Sequence, residues 1–105
     1  MSISRLYNDG NKSLTKELVV LSDRNISYQR HHSRDEIWTF VSGSGYLVID
    51  DKVSKVKAGD FVYIHKGQKH AVKAIEELHI IEVQIGDEMI EEDIERFDFN
   101  WEKVE

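Results

Sequence analysis

The side chains best suited to chemistry in this sequence are histidines. Four of the five fall in two short stretches, His31-His32 and His65 with His70. Gln29, His31 and Ser33 alternate, so on an extended strand they share one face, and Glu36 follows after a short turn. Imidazole and carboxylate gathered on one inward face are what a divalent cation needs. His70 lies beyond Gly59 and Gly67, and glycines flanking a strand permit the tight turns that bring a late histidine back over the same cavity. There is no cysteine in the 105 residues. Thiolate metal sites, disulfides and cysteine nucleophiles are therefore excluded, and any metal must be held by nitrogen and oxygen.

Strands must position these donors. Runs rich in β-branched and aromatic residues at 18–21, 27–31, 36–42, 45–49, 52–57, 60–64, 70–74 and 78–85 are each closed by turn residues. Such regular spacing marks a sandwich or barrel, an all-β fold. Gly43-Ser44-Gly45, Asp50-Asp51-Lys52 and Ala58-Gly59-Asp60 supply the connections. Alternation is loose in 36–42 and 78–85, which predicts strands covered on both sides. In the tail, Ile90, Ile94, Phe97 and Trp101 recur at helical spacing behind a run of acids, predicting one short C-terminal helix over the barrel. A single domain is expected over 1–105, with the barrel at about 18–86 and an acidic helical segment at 87–105.

The net charge of −6 is localised: residues 1–85 carry 12 Lys and Arg against 11 Asp and Glu, and residues 86–105 carry 2 against 9. A near-neutral body with an acidic end offers no footprint for a phosphate backbone, so nucleic acid is not an expected partner. The first residues show no basic start followed by an apolar stretch, and no apolar run is long enough to span a bilayer. A soluble cytoplasmic protein without membrane contact is the expectation.

Glu36 precedes Gly43 by six intervening residues, and the segment from Gly59 through DFVYIHKGQK to His70 sets glycines and a histidine at fixed offsets. The two resemble the paired signature motifs of the cupin superfamily, whose fold is a double-stranded β-helix, or jelly-roll barrel. The resemblance is closest to the cupin domain of type II phosphomannose isomerases, often found as the C-terminal part of bifunctional mannose-1-phosphate guanylyltransferases. It is carried by YQRHHSRDEIWT at 28–39, VSGS at 41–44, YIHKGQKHA at 63–71, IEVQIGD at 81–87 and EDIERFDF at 92–99. The last stretch lies outside the general cupin motifs. No nucleotidyltransferase domain is present in these residues, so guanylyltransfer is not expected.

The resemblance implies one divalent metal ion (Zn, Mn, Fe, Co or Ni) held by Gln29, His31, Glu36 and His70. A register using His32 instead would place Arg30 beside it, and a guanidinium cannot be a ligand. The implied reaction is interconversion of an aldose and a ketose phosphate, most simply mannose 6-phosphate and fructose 6-phosphate. Its enediol chemistry needs a group that both takes and returns a proton, for which His32 and His65 are candidates by type. The substrate phosphate needs cations: Arg34 and Arg96 match family positions, and Lys69 leads into His70. Three positions depart from the family: Ser33 stands where a third histidine is usual, His65 where proline is usual, and Ala74 where asparagine is frequent. The alternatives are a non-catalytic metal- and sugar-binding cupin, or a cupin acting on nucleotide-linked sugars. Edge-strand pairing and a surplus of apolar residues for the chain's size suggest a homodimer.

Overall fold

The computed structural model describes residues 2–9, 13–86 and 92–104. Among them are eight strands: β1 (Ser2–Asp9), β2 (Ser13–Val20), β3 (Tyr28–Arg30), β4 (Asp35–Ile49), β5 (Lys52–Lys57), β6 (Phe61–Ile64), β7 (His70–Ile85) and β8 (Glu95–Phe97), then a 3-10 turn at Trp101–Lys103. Every pairing is antiparallel.

The two long strands organise the barrel. The first half of β4 runs between β6 and the second half of β7, and its second half runs between β5 and the first half of β7. Between the halves the β4–β7 register shifts at Phe40/Ser42, Ser42/Ser44 and Ser44/Gly45. Glycine is required at this bend. Gly43 sits at φ +91°, and a Cβ there would lie 2.0 Å from the Glu77 carbonyl oxygen; at Gly45 it would lie 2.3 Å from that of Lys73. The segments expected at 36–42 and 45–49 are thus one bulged strand, and 70–74 and 78–85 are one strand likewise.

Alternation along these strands fills the interior. Trp38, Phe40 and Leu47 of β4 meet Val72, Ala74, Leu78 and Ile80 of β7, with Leu18, Val20, Ile26, Val56 and Ile64 completing a buried core. The same alternation carries polar groups inward at one end. Glu36 lies opposite Gln84, and Trp38 opposite Glu82.

The expected C-terminal helix is not formed by the described residues. Ile90 lies outside them; Glu95–Phe97 is strand, and only one 3-10 turn follows. Phe97, Phe99 and Trp101 alternate in an extended chain and pack on the buried group Tyr28, Val48 and Ala71, with Tyr28 and Phe99 rings 5.2 Å apart edge to face. A period of two presents all three rings to one surface, and that tertiary contact outweighs the helical periodicity. Among the described residues no helix is long and apolar enough to cross a membrane.

Candidate metal centre

Three side chains converge at the polar end of the barrel. His31 comes from the turn after β3, Glu36 from the start of β4 and His70 from the start of β7. Their ligand atoms all lie within 4.8 Å of one another. His31 Nε2 is 3.2 Å from Glu36 Oε2, and His70 Nε2 is 3.7 Å from Glu36 Oε1. Glu36 and His70 are each only 1% exposed.

The surroundings fix both tautomers. His31 Nδ1 faces the Asp93 carbonyl oxygen at 2.7 Å, and His70 Nδ1 faces that of Gln68 at 3.0 Å. A carbonyl only accepts, so each Nδ1 carries the hydrogen and each Nε2 presents a lone pair. Burial holds both imidazoles below the ordinary histidine pKa although Glu36 pulls them up, which keeps the rings neutral. For Glu36, burial pushes the carboxyl up, while the adjoining His70, His31 and Arg34 groups lower it; with the imidazoles neutral, the Arg34 guanidinium bonded to Oε2 is the charge that keeps the group ionised. Among the described residues, His70 Nε2 is buried with no hydrogen-bond partner. A buried unpartnered acceptor beside a carboxylate and a second imidazole fits a divalent cation of the nitrogen- and oxygen-liking class.

Comparison with known proteins gives the family and the fold. The family profile described as "Mannose-6-phosphate isomerase C-terminal" matches residues 4–99. The chain belongs to this family. A mannose-1-phosphate guanylyltransferase 2 of Escherichia coli O157:H7 is 33% identical over 89 residues, covering 83% of this chain and 18% of the relative. The chain therefore spans about a fifth of the length of the curated relatives it matches. In fold, it is similar to a Klebsiella pneumoniae protein with a double-stranded β-helix domain (TM-score 0.77, 18% identity, 90% of this chain and 82% of that one). It is also similar to a cupin protein from Bacteroides fragilis (TM-score 0.66, 19% identity, 76% and 70%). The all-β cupin barrel expected from the motifs is thus the observed fold.

Against the ligand set implied by the family motif, this mannose-6-phosphate isomerase C-terminal domain brings together His31, Glu36 and His70. Gln29 is opposite His70 in the β3–β7 register, and its carboxamide oxygen accepts a hydrogen bond from Ser27 Oγ at 2.7 Å. Among the described residues no hydrogen bond joins it to the other three. His32 turns outward, its Nε2 3.1 Å from Glu95 Oε1 and its backbone N–H bonded to the Asp93 carboxylate. His65 is exposed at the end of β6 with its ring against Tyr63. Neither candidate for proton transfer is brought to the cluster. Lys69 holds its ammonium 4.3 Å from the Phe97 ring centroid, and Arg96 is exposed on β8 opposite Gln29. Arg34, expected to bind phosphate, is instead buried against Glu36 and His31.

Three further groups build the site. Trp38 Nε1 donates to Glu36 Oε1 at 2.9 Å. Glu82, 6% exposed, accepts from Gln84 Nε2 at 2.8 Å; burial, with Glu36 close by, pushes its carboxyl up to about 7. The readable signal was the 78–85 run, where the inward apolar positions Leu78 and Ile80 give way to Glu82 and Gln84. Asp93 is the third: its carboxylate accepts from the His32 and Ser33 backbone N–H groups, each at 2.8 Å, while its carbonyl orients His31. That role gives the acidic EDIERF stretch a physical reason to accompany the motifs.

Proposed function

We propose that this domain is a divalent-metal-dependent isomerase of sugar phosphates, with mannose 6-phosphate and fructose 6-phosphate as the substrate pair. The observation that carries the reading is the buried convergence of His31, Glu36 and His70, with His70 Nε2 lacking a partner among the described residues. These three residues would hold the metal, and Gln29 would join them by releasing Ser27. When bound, the ion supplies Lewis-acid stabilisation of the negative charge that develops on a sugar oxygen during enolisation.

The chain's own residues supply the rest. Asp93 and Gln68 carbonyls orient the imidazoles, and Trp38 and Arg34 orient the Glu36 carboxylate. Glu82 replaces His32 and His65 as the group to carry the proton between carbons, by placement: it is the other carboxyl buried inside the barrel beside Glu36. Phosphate recognition falls to Arg96 and Lys69. Arg96, Gln29 and His70 are directly paired across β8, β3 and β7, so all three project to one face, and Lys69 adjoins His70. We place a homodimer in the same proposal, formed through the outward apolar face of β4 and β6, where Val41, Phe61 and Tyr63 are exposed.

The test is a coupled assay for conversion of mannose 6-phosphate to fructose 6-phosphate by the purified chain reconstituted with each divalent metal in turn. Turnover that is lost on chelation and on E36Q substitution is the expected result. Metal bound without turnover would favour a second reading, a non-catalytic metal- and sugar-binding cupin. Ser33 and the outward placement of His32 and His65 speak for that alternative.

A further inference from the structure

Arg34 is in a position that phosphate recognition does not explain. It is 9% exposed, its Nε donates to Glu36 Oε2 at 2.9 Å, and its Nη2 donates to His31 Nε2 at 3.1 Å. These are two of the atoms that the metal reading requires. With Nδ1–H directed at the Asp93 carbonyl, His31 Nε2 has one in-plane lone pair. It can accept one hydrogen bond or bind one cation, not both. Electrostatics adds to the conflict, since a guanidinium and a divalent ion would both have to sit against Glu36 in a buried site.

The main chain beneath Arg34 cannot yield. Asp93 holds the His32 and Ser33 N–H groups, and Gly86 lies so close that a Cβ there would be 2.5 Å from the Ser33 carbonyl oxygen and 3.2 Å from Arg34 Cα. Any relief of the conflict must come from the side chain, which has four rotatable bonds for it.

We propose that Arg34 is an internal cation that occupies the site in the metal-free protein and must release His31 when a divalent metal enters. It is a tethered competitor: it keeps Glu36 paired while the site is empty and lowers the apparent metal affinity. The inference rests on the metal reading above and adds to it a residue that sets the affinity.

The test is calorimetric titration of Co2+ into the chelator-stripped 105-residue chain, as wild type, R34Q and R34K, with thermal melts of each with and without saturating Co2+. R34Q should bind at least tenfold more tightly than wild type. Without metal it should melt below wild type, because Glu36 has lost its counter-ion, and saturating Co2+ should reverse that order. R34K keeps the charge but cannot span both Glu36 Oε2 and His31 Nε2, so its affinity should fall between the two; it also carries the test if R34Q does not fold. Affinity in R34Q equal to or weaker than wild type overturns the proposal. So does R34K binding as weakly as wild type, which would mean that charge acts without displacement. If neither wild type nor the variants take up Co2+, the metal reading itself fails and this inference fails with it.

Discussion

Replacing Asp93 by asparagine isolates the contribution of the C-terminal segment to the site. The carboxylate accepts two short hydrogen bonds, Oδ1 from His32 N–H and Oδ2 from Ser33 N–H, both at 2.8 Å. Asparagine keeps the shape but has one acceptor oxygen, and its amide would point hydrogens at the second N–H. A hydrogen bond to a charged group contributes about 1.5–3 kcal/mol when shielded, and one left unmade costs a similar amount. Water reaches exposed His32 and part-exposed Ser33, so the sum must be discounted; a net loss of about 2 kcal/mol is expected. For a domain of this size that lowers the melting temperature by about 10 °C.

The pH dependence separates this account from a general packing defect. Burial pushes the Asp93 carboxyl up, but the His32 and Ser33 N–H donors outweigh it and hold the group below the ordinary aspartate range. A depressed carboxyl contributes stability above its unfolded pKa, about 3.9, and loses it as pH falls through the folded value. Urea denaturation of wild type and D93N should therefore differ by about 2 kcal/mol at neutral pH, with the gap closing in the acid range. A gap below about 0.5 kcal/mol at pH 7, or one that persists unchanged into acid, would refute this role for the Asp93 carboxylate.

Glu82 gives the opposite sign. Its folded pKa of about 7 lies above the ordinary 4.5, so metal-free wild type should lose about 3 kcal/mol of stability as pH rises through that interval and then level off. E82Q should show no such loss, and parallel pH profiles would refute the burial of an ionisable acid. Gly43 and Gly59 share a left-handed backbone, φ +91° and +93°, but a Cβ at Gly59 meets nothing within 4 Å. Denaturation of G59A should show only the conformational cost of about 1–2 kcal/mol, and that of G43A clearly more; equal costs would contradict the β4–β7 close approach. Light scattering should give twice the monomer mass for wild type and the monomer mass for F61E, since Phe61 is 76% exposed; a monomeric wild type would sink the dimer.

The candidate triad His31, Glu36 and His70 was readable because period-two alternation and glycine offsets are backbone properties. Alternation names a face but not a rotamer, which is why Gln29 shares His70's register and still bonds to Ser27. The glycines at 43 and 45 mark a bend in any reading; whether the bend is a turn or a bulge depends on β7 continuing alongside, a long-range fact. Lys52–Lys57 formed as expected because the Asp50-Asp51 turn, both residues at positive φ, sets its register locally. The tail failed for the converse reason. Phe97 and Trp101 fit a helical spacing and a strand-like one, and the Tyr28 surface that decides between them lies some seventy residues earlier in the chain.

Stability alone does not account for what the barrel buries at its polar end. His31, Arg34, Glu36, His70, Glu82 and Gln84 are all withdrawn from water in a domain of 105 residues. Small domains bury little apolar area to offset such costs, and replacing buried ionic groups with apolar side chains of similar volume is often neutral or stabilising. The interior positions that hold Glu82 and Gln84 continue a row begun by Leu78 and Ile80 and could carry leucine or isoleucine without changing the alternation. Within the cluster, His70 Nε2 finds no partner among the described residues, and an unpartnered buried acceptor is a cost. A cation supplied from outside would remove that cost, and Arg34 would hold Glu36 until it arrives.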